Sequence, residues 1–131
     1  MKEKTIDVLM VVAGVKPCKV SVENNYKTLK YLVNPCLAFL ADIEAVMLEK
    51  DVALIHNKEG ALLGLKGNRQ VGNAIIAGVF FIVGVKEGKI ASLSKEKEEK
   101  YYKRFERIET YTDKEVSKAY WDLQYYELEK I

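Results

Sequence analysis

The sequence contains one histidine, His56, and two cysteines, Cys18 and Cys36. A metal centre needs three or four His, Cys or carboxylate ligands at close spacing. These three residues form no such pattern, so no metal and no cofactor is expected. Cys18 or Cys36 with His56 would be a minimal nucleophile and base, but no spacing brings them together. Two free, mostly buried thiols and a structural His56 on a strand are the expectation. Asp42 and Glu44 lie two apart, which places both carboxylates on one face of a strand; a solvated face accounts for them. The sequence holds no GxxxxGKS/T phosphate loop, GxGxxG turn, GxSxG elbow or HExxH helix. An enzyme has the least support, and a non-enzymatic protein is expected.

Three segments have residue types suited to binding. Residues 66–73 (KGNRQVGN) read as a polar loop with glycines at 67 and 72. Successive backbone N–H groups there could form an anion-binding concavity, with Lys66 and Arg69 for charge and Asn68 and Asn73 for amides. The competing reading is a connection whose Asn and Gly residues satisfy turn geometry, with Asn68 and Arg69 bonding neighbouring carbonyls. Lys100, Lys103, Arg104 and Arg107 fall at i, i+3, i+4, i+7, one basic ridge along a helix. Such a ridge supports weak, salt-sensitive contact with phosphates, or a solvated face. Trp121, Tyr125 and Leu128 form an apolar stripe on the last helix, roughly opposite a first stripe of Val116, Ala119, Tyr120 and Leu123. A surface helix needs only one stripe. The second is either internal, with the helix in a groove, or an interface rich in the residues of binding hot spots.

The elements that would position these residues follow from pattern. Residues 5–15 are nearly continuous in apolar side chains, as in a central strand. The run is interrupted by Asp7 and followed by Lys16-Pro17, which argues for a strand and against a signal peptide. Residues 18–22 alternate as a half-exposed strand. Asn24 is a candidate cap for a short helix near 25–33, ended by Asn34-Pro35. Residues 36–50 read as an amphipathic helix or, preferably, as a strand over 43–48 that turns at Lys50-Asp51 into a strand over 52–57. A turn at Gly60 leads to a short strand at 61–64. Residues 74–85 (AIIAGVFFIVGV) read as one long buried strand, with Gly78 marking a bulge or close approach. Residues 89–93 form a further strand. Ser94 caps a helix to about residue 108, and Thr112 to Glu115 is a capping box for a helix over about 113–130. The fold class is therefore α+β: a mostly antiparallel sheet of five to seven strands, with helices over one face and at the C-terminus.

At 131 residues, with 49% hydrophobic and 31% charged residues, the chain is read as a single domain, 1–131. A net charge of +2 demands neither a nucleic acid nor a membrane partner. No run approaches the roughly 20 apolar residues of a membrane span. A cytoplasmic protein is the expectation.

The strand-turn-strand Ala53 to Gly60, then Leu62-Leu63-Gly64-Leu65, Asn68-Arg69, the run Ile76 to Gly84, Ser92-Leu93 and Tyr102-Lys103-Arg104-Phe105 together resemble a family catalogued as domain of unknown function 3846. The resemblance covers roughly residues 43–107. It implies a setting in bacteriophages and mobile elements of bacteria, notably Firmicutes, and carries no reaction, ligand or catalytic residue. Small accessory proteins of such elements often act by binding host machinery. The resulting expectation is an interaction protein, such as an inhibitor of a host defence system. Its partner would be a host or element protein, or a second copy in a homodimer, bound through the C-terminal helix with the basic ridge assisting. Nucleic acid is a weak candidate. The alternative is a module binding a nucleotide or other anion at residues 66–73.

Overall fold

The computed structural model describes residues 4–34 and 41–129. In chain order these form β1 (Thr5–Val11), β2 (Cys18–Glu23), α1 (Tyr26–Leu32), β3 (Ile43–Glu49), β4 (Val52–Asn57), β5 (Gly67–Val71), β6 (Ala74–Ala77), β7 (Phe80–Lys86), β8 (Lys89–Ala91), α2 (Lys95–Phe105) and α3 (Asp113–Glu129). The class is α+β, as the sequence indicates. The main sheet runs β2-β1-β7-β4-β3 with every pair antiparallel. One edge of β7 is shared: β1 pairs with Phe80, Phe81 and Ile82, and β8 with Gly84, Val85 and Lys86. β5 and β6 make a separate two-stranded hairpin.

The period of two along the strands sorts the core into two layers. Leu9, Val11, Val52, Leu54, Phe80 and Ile82 point to one face, where Ile76, Leu93, Tyr101 and Phe105 cover them. Phe80 meets Phe105 edge-on, with ring centroids 5.2 Å apart. Ile6, Val8, Ala53, Ile55, Phe81 and Val83 point to the other face, with Val33 at the end of α1. β4 and β7 are covered on both sides, which is why their sequences are continuously apolar rather than alternating. α2 thus covers one face of the sheet, and Val33, the residue that follows α1, packs on the other.

Several sequence expectations are corrected. The run 74–85 is two strands in two sheets. Gly78 sits between them at φ +90 and donates its N–H to Lys66 O at 2.8 Å. A Cβ there would come within 2.7 Å of Leu65 Cδ1, so the chain bends at the one residue able to do so. Residues 66–73 are not a loop but β5 and the Gly72-Asn73 turn into β6. Residues 61–64 form a turn, not a strand. The cap of α1 is Asn25, whose Oδ1 accepts from Thr28 N at 2.7 Å. Asn24 is buried and donates to Ile90 O. α2 ends at Phe105, short of residue 108. Cys18 is exposed rather than buried, while Cys36 lies outside the described residues. β3 is a strand over the span preferred for it.

α2 is tied to the end of β3 by a single carboxylate. Glu49 accepts from Lys97 Nζ at 2.6 Å, Lys100 Nζ at 2.8 Å and Tyr101 Oη at 2.6 Å. Lys100, then Lys97 and Tyr101, hold this carboxyl down from 4.5 to about 2. Burial, then the bond to Glu49, pushes the Tyr101 phenol up to about 12, so it remains a donor. Because the Glu49 carboxyl is lowered on folding, its stabilisation is complete above its ordinary value. It is lost as the pH falls from about 4.5 through about 2. Glu49→Gln should therefore be less stable than wild type at neutral pH, and the difference should shrink over that acid range. Urea unfolding followed by circular dichroism at a series of pH values measures it.

Candidate functional site

Asn68 and Arg69 face the interior, and both are fully buried. Asn68 Nδ2 donates to Val11 O and Gly78 O, each at 2.9 Å. The Arg69 guanidinium donates from Nε and Nη2 to Phe105 O at 3.0 and 2.8 Å, from Nη2 to Val15 O at 2.9 Å, and from Nη1 to Asn68 Oδ1 at 2.8 Å. It caps the C-terminal carbonyl of α2, where a cation is favoured by the helix dipole. Burial pulls its pKa down, offset in part by Glu109 and Tyr111. An arginine still stays charged in such a site. The stretch is thus a hairpin in which Asn68 and Arg69 bond backbone carbonyls, as the competing reading of these residues has it. Lys66 and Asn73 are exposed, and Asn73 lines a groove of about 630 Å³ between the hairpin and α3, with Gln70, Tyr111, Asp122 and Tyr126.

α3 starts with the capping box that the sequence announces. Glu115 N donates to Thr112 Oγ1 at 3.1 Å, and Thr112 N donates to Glu115 Oε1 at 2.9 Å. The bond from Thr112 N, then one from Thr112 Oγ1 at 3.0 Å, hold the Glu115 carboxyl below its ordinary range. Val116 is buried and Ala119, Tyr120 and Leu123 are half-buried, so the first stripe packs inward. The close approach to β5 depends on Gly67: a Cβ there would lie 2.7 Å from Val116 Cγ2 and 2.9 Å from Tyr111 Cβ. The second stripe points away from the domain, with Trp121 51%, Tyr125 66% and Leu128 62% exposed. The first stripe is therefore internal and the second is not. Residues 124–128 are all exposed, and Gln124 and Tyr126 border the spaces between α3 and the hairpin.

The basic ridge is only partly available. Lys100 is held by Glu49 at 2.8 Å. The Arg104 guanidinium lies over the rings of Tyr101 and Phe105, at 5.9 and 5.1 Å. Lys103 is exposed beside the Lys19–Glu98 ion pair. Arg107 lies beyond the end of α2 and is exposed, so the helical spacing expected for the four breaks before its last member.

A cleft that sequence reasoning missed lies beneath the other flank of α3. It encloses about 290 Å³ between the outer edge of β6, the end of the β3–β4 hairpin and the α3 residues Tyr120, Leu123 and Gln124. His56 and Glu44 form one wall, with His56 Nε2 3.0 Å from Glu44 Oε1. Lys58 stands on the same wall. Asn57 is buried behind them, donating to Val33 O and Asn34 Oδ1. Glu44 meets His56 only because of a bulge in β3. Glu49 pairs with Val52 and Met47 with Ala53, which leaves Leu48 unpaired and brings Glu44 opposite His56. A regular hairpin across Lys50-Asp51 would have set Ala45 there.

Among the described residues no group of three or more His, Cys, Asp or Glu side chains could hold a metal ion. Among them, no helix is long and apolar enough to cross a membrane.

The family model described as Domain of unknown function (DUF3846) matches residues 6–106. The match takes in both layers of the core, the β5–β6 hairpin, the cleft's His56 wall and α2, and stops before α3. No curated protein and no solved structure matches the chain.

The interior position of Arg69 generates a direct expectation. Arg69→Ala leaves Phe105 O, Val15 O and Asn68 Oδ1 without these donors, and should destabilise the domain by about 3 kcal/mol or more. Urea denaturation of the two proteins side by side reads this loss. An effect confined to ligand binding, with unchanged stability, would contradict the structural role.

Proposed function

We propose that this chain, which belongs to the family described as Domain of unknown function (DUF3846), is a non-enzymatic interaction protein of a phage or mobile genetic element. In this reading it acts in the cytoplasm and binds a host or element protein through the outward face of α3. Inhibition of a host defence system is the form of action that suits such an accessory protein.

The observation that carries this reading is the exposure of Trp121, Tyr125 and Leu128 on one face of a helix whose opposite face is already packed. Tryptophan and tyrosine at the centre of a patch are the residue types that dominate binding energy. Together the three side chains offer on the order of 400 Å², against about 800 Å² per partner in a standard interface. They can anchor an interface, and neighbouring surface must complete it. Tyr126, 55% exposed, borders the same end of the helix. Of the basic ridge, Lys103 and Arg107 are exposed and assist in this reading; Lys100 and Arg104 are engaged within the domain. The ridge supports at most a weak, salt-dependent contact with nucleic acid.

The Trp121→Ala, Tyr125→Ala double variant should keep its circular dichroism spectrum, because both side chains are more than half exposed. It should lose capture of the partner from a host lysate, with each truncation weakening binding about tenfold or more. Capture by the double variant at wild-type level would remove this face from the proposal.

A further inference from the structure

We infer that the cleft between β6, the His56–Glu44 pair and α3 binds a nucleoside, independently of any partner on the outward face of α3. The first observation is the backbone of β6. Gly78 N donates to Lys66 O, which makes Gly67–Ala77 a widely spaced pair of the antiparallel ladder. Gln70 N donates out of the hairpin to Glu109 Oε1, so Gln70–Ile75 is the next such pair. Ile75 and Ala77 therefore direct their own N–H and C=O away from β5, toward the cleft they line. The Ala77 carbonyl is closed off by Gly60, where a Cβ would lie 2.4 Å from it. Ile75 keeps one adjacent donor and acceptor, with no backbone partner for them among the described residues. That pair complements the acceptor–donor edge of a nucleobase.

The remaining walls fit the rest of a nucleoside. Tyr120 and Leu123 of α3 supply an aromatic ring and an apolar side chain for the base's face. Across the cleft, Glu44 is half-exposed and gives Oε1 to His56. Its other oxygen can accept from ribose hydroxyls, which carboxylates recognise well. Lys58 adds positive charge on that wall. An extended peptide fits less well, because the Gly60 turn stops any strand added along β6 at Ala77.

The test uses the full chain with the four ribonucleosides, their 2′-deoxy forms and their 5′-monophosphates at about 1 mM. Melting temperature is followed first, then isothermal titration. At least one ribonucleoside should raise the melting temperature. Glu44→Ala should weaken that binding about tenfold, and the matching deoxynucleoside should bind wild type more weakly yet lose nothing further in Glu44→Ala. Ala61→Trp, which fills the cleft without removing a polar group, should abolish binding. Trp121→Ala, Tyr125→Ala should bind the nucleoside as wild type does. Silence of the whole panel overturns the inference, as does a ligand whose affinity survives both Glu44→Ala and Ala61→Trp. Stabilisation by alanyl-alanine amide in place of every nucleoside would also overturn it. None of these outcomes bears on partner capture.

Discussion

A buried guanidinium with no carboxylate in contact among the described residues is the constraint on which much of the rest depends. Arg69 joins the last carbonyl of α2, the loop after β1 at Val15, and the amide of Asn68. These belong to three parts of the chain that no strand ladder connects. Removing the charge from water is costly unless every donor finds an acceptor, and here the acceptors are backbone carbonyls and the Asn68 side-chain oxygen. The same contact fixes where α2 ends, because the carbonyl it caps is that of Phe105. It also explains why the β5–β6 hairpin stays seated on the sheet although it shares no ladder with it. Asn68 adds two further ties, to β1 and to Gly78.

Around this point the fold is a doubly covered sheet with a hairpin and a helix added on one flank. The sheet is held by apolar side chains and is symmetric in its demands on both faces. The added flank is different. α3 rests on the hairpin through one stripe, needs a glycine at 67 for its approach, and leaves space on either side: a groove by Tyr126 and a cleft by Glu44. The places where binding is proposed are thus on the least packed layer. That is where side chains are free to meet something else.

The sheet was legible in the sequence because its strands obey simple periodicity: continuous apolar runs for β4 and β7, alternation for β2. The two C-terminal helices were legible from Ser94 and the Thr112–Glu115 box, whose chemistry is local. Three features were not. A run such as AIIAGVFFIV gives no sign that Gly78 is a bend between two sheets, since the pattern is equally that of one strand. KGNRQVGN has loop composition, and only tertiary contacts turn its Asn and Arg inward. The Glu44–His56 pair depends on a one-residue bulge at Leu48, and register is a property of the paired strands rather than of either one. Resemblance to the family pointed to the stretch that contains the hairpin and the cleft, but not to what either does.

The place of β7 in the sheet has a consequence for how the chain assembles. It lies between β1 and β4, yet it is made after both. Until it arrives, β1–β2 and β3–β4 are two strand pairs with no ladder between them, each with an open edge. The sheet closes only when the chain through about residue 86 is present, by a contact between Leu9 and Ile82 that spans most of the sequence. Closing so long a loop comes before its reward in burial, which makes such folding slow for its size. During that interval the bare edges of β1 and β4 are the chain's most adhesive surfaces, and insertion of a single strand quenches both at once.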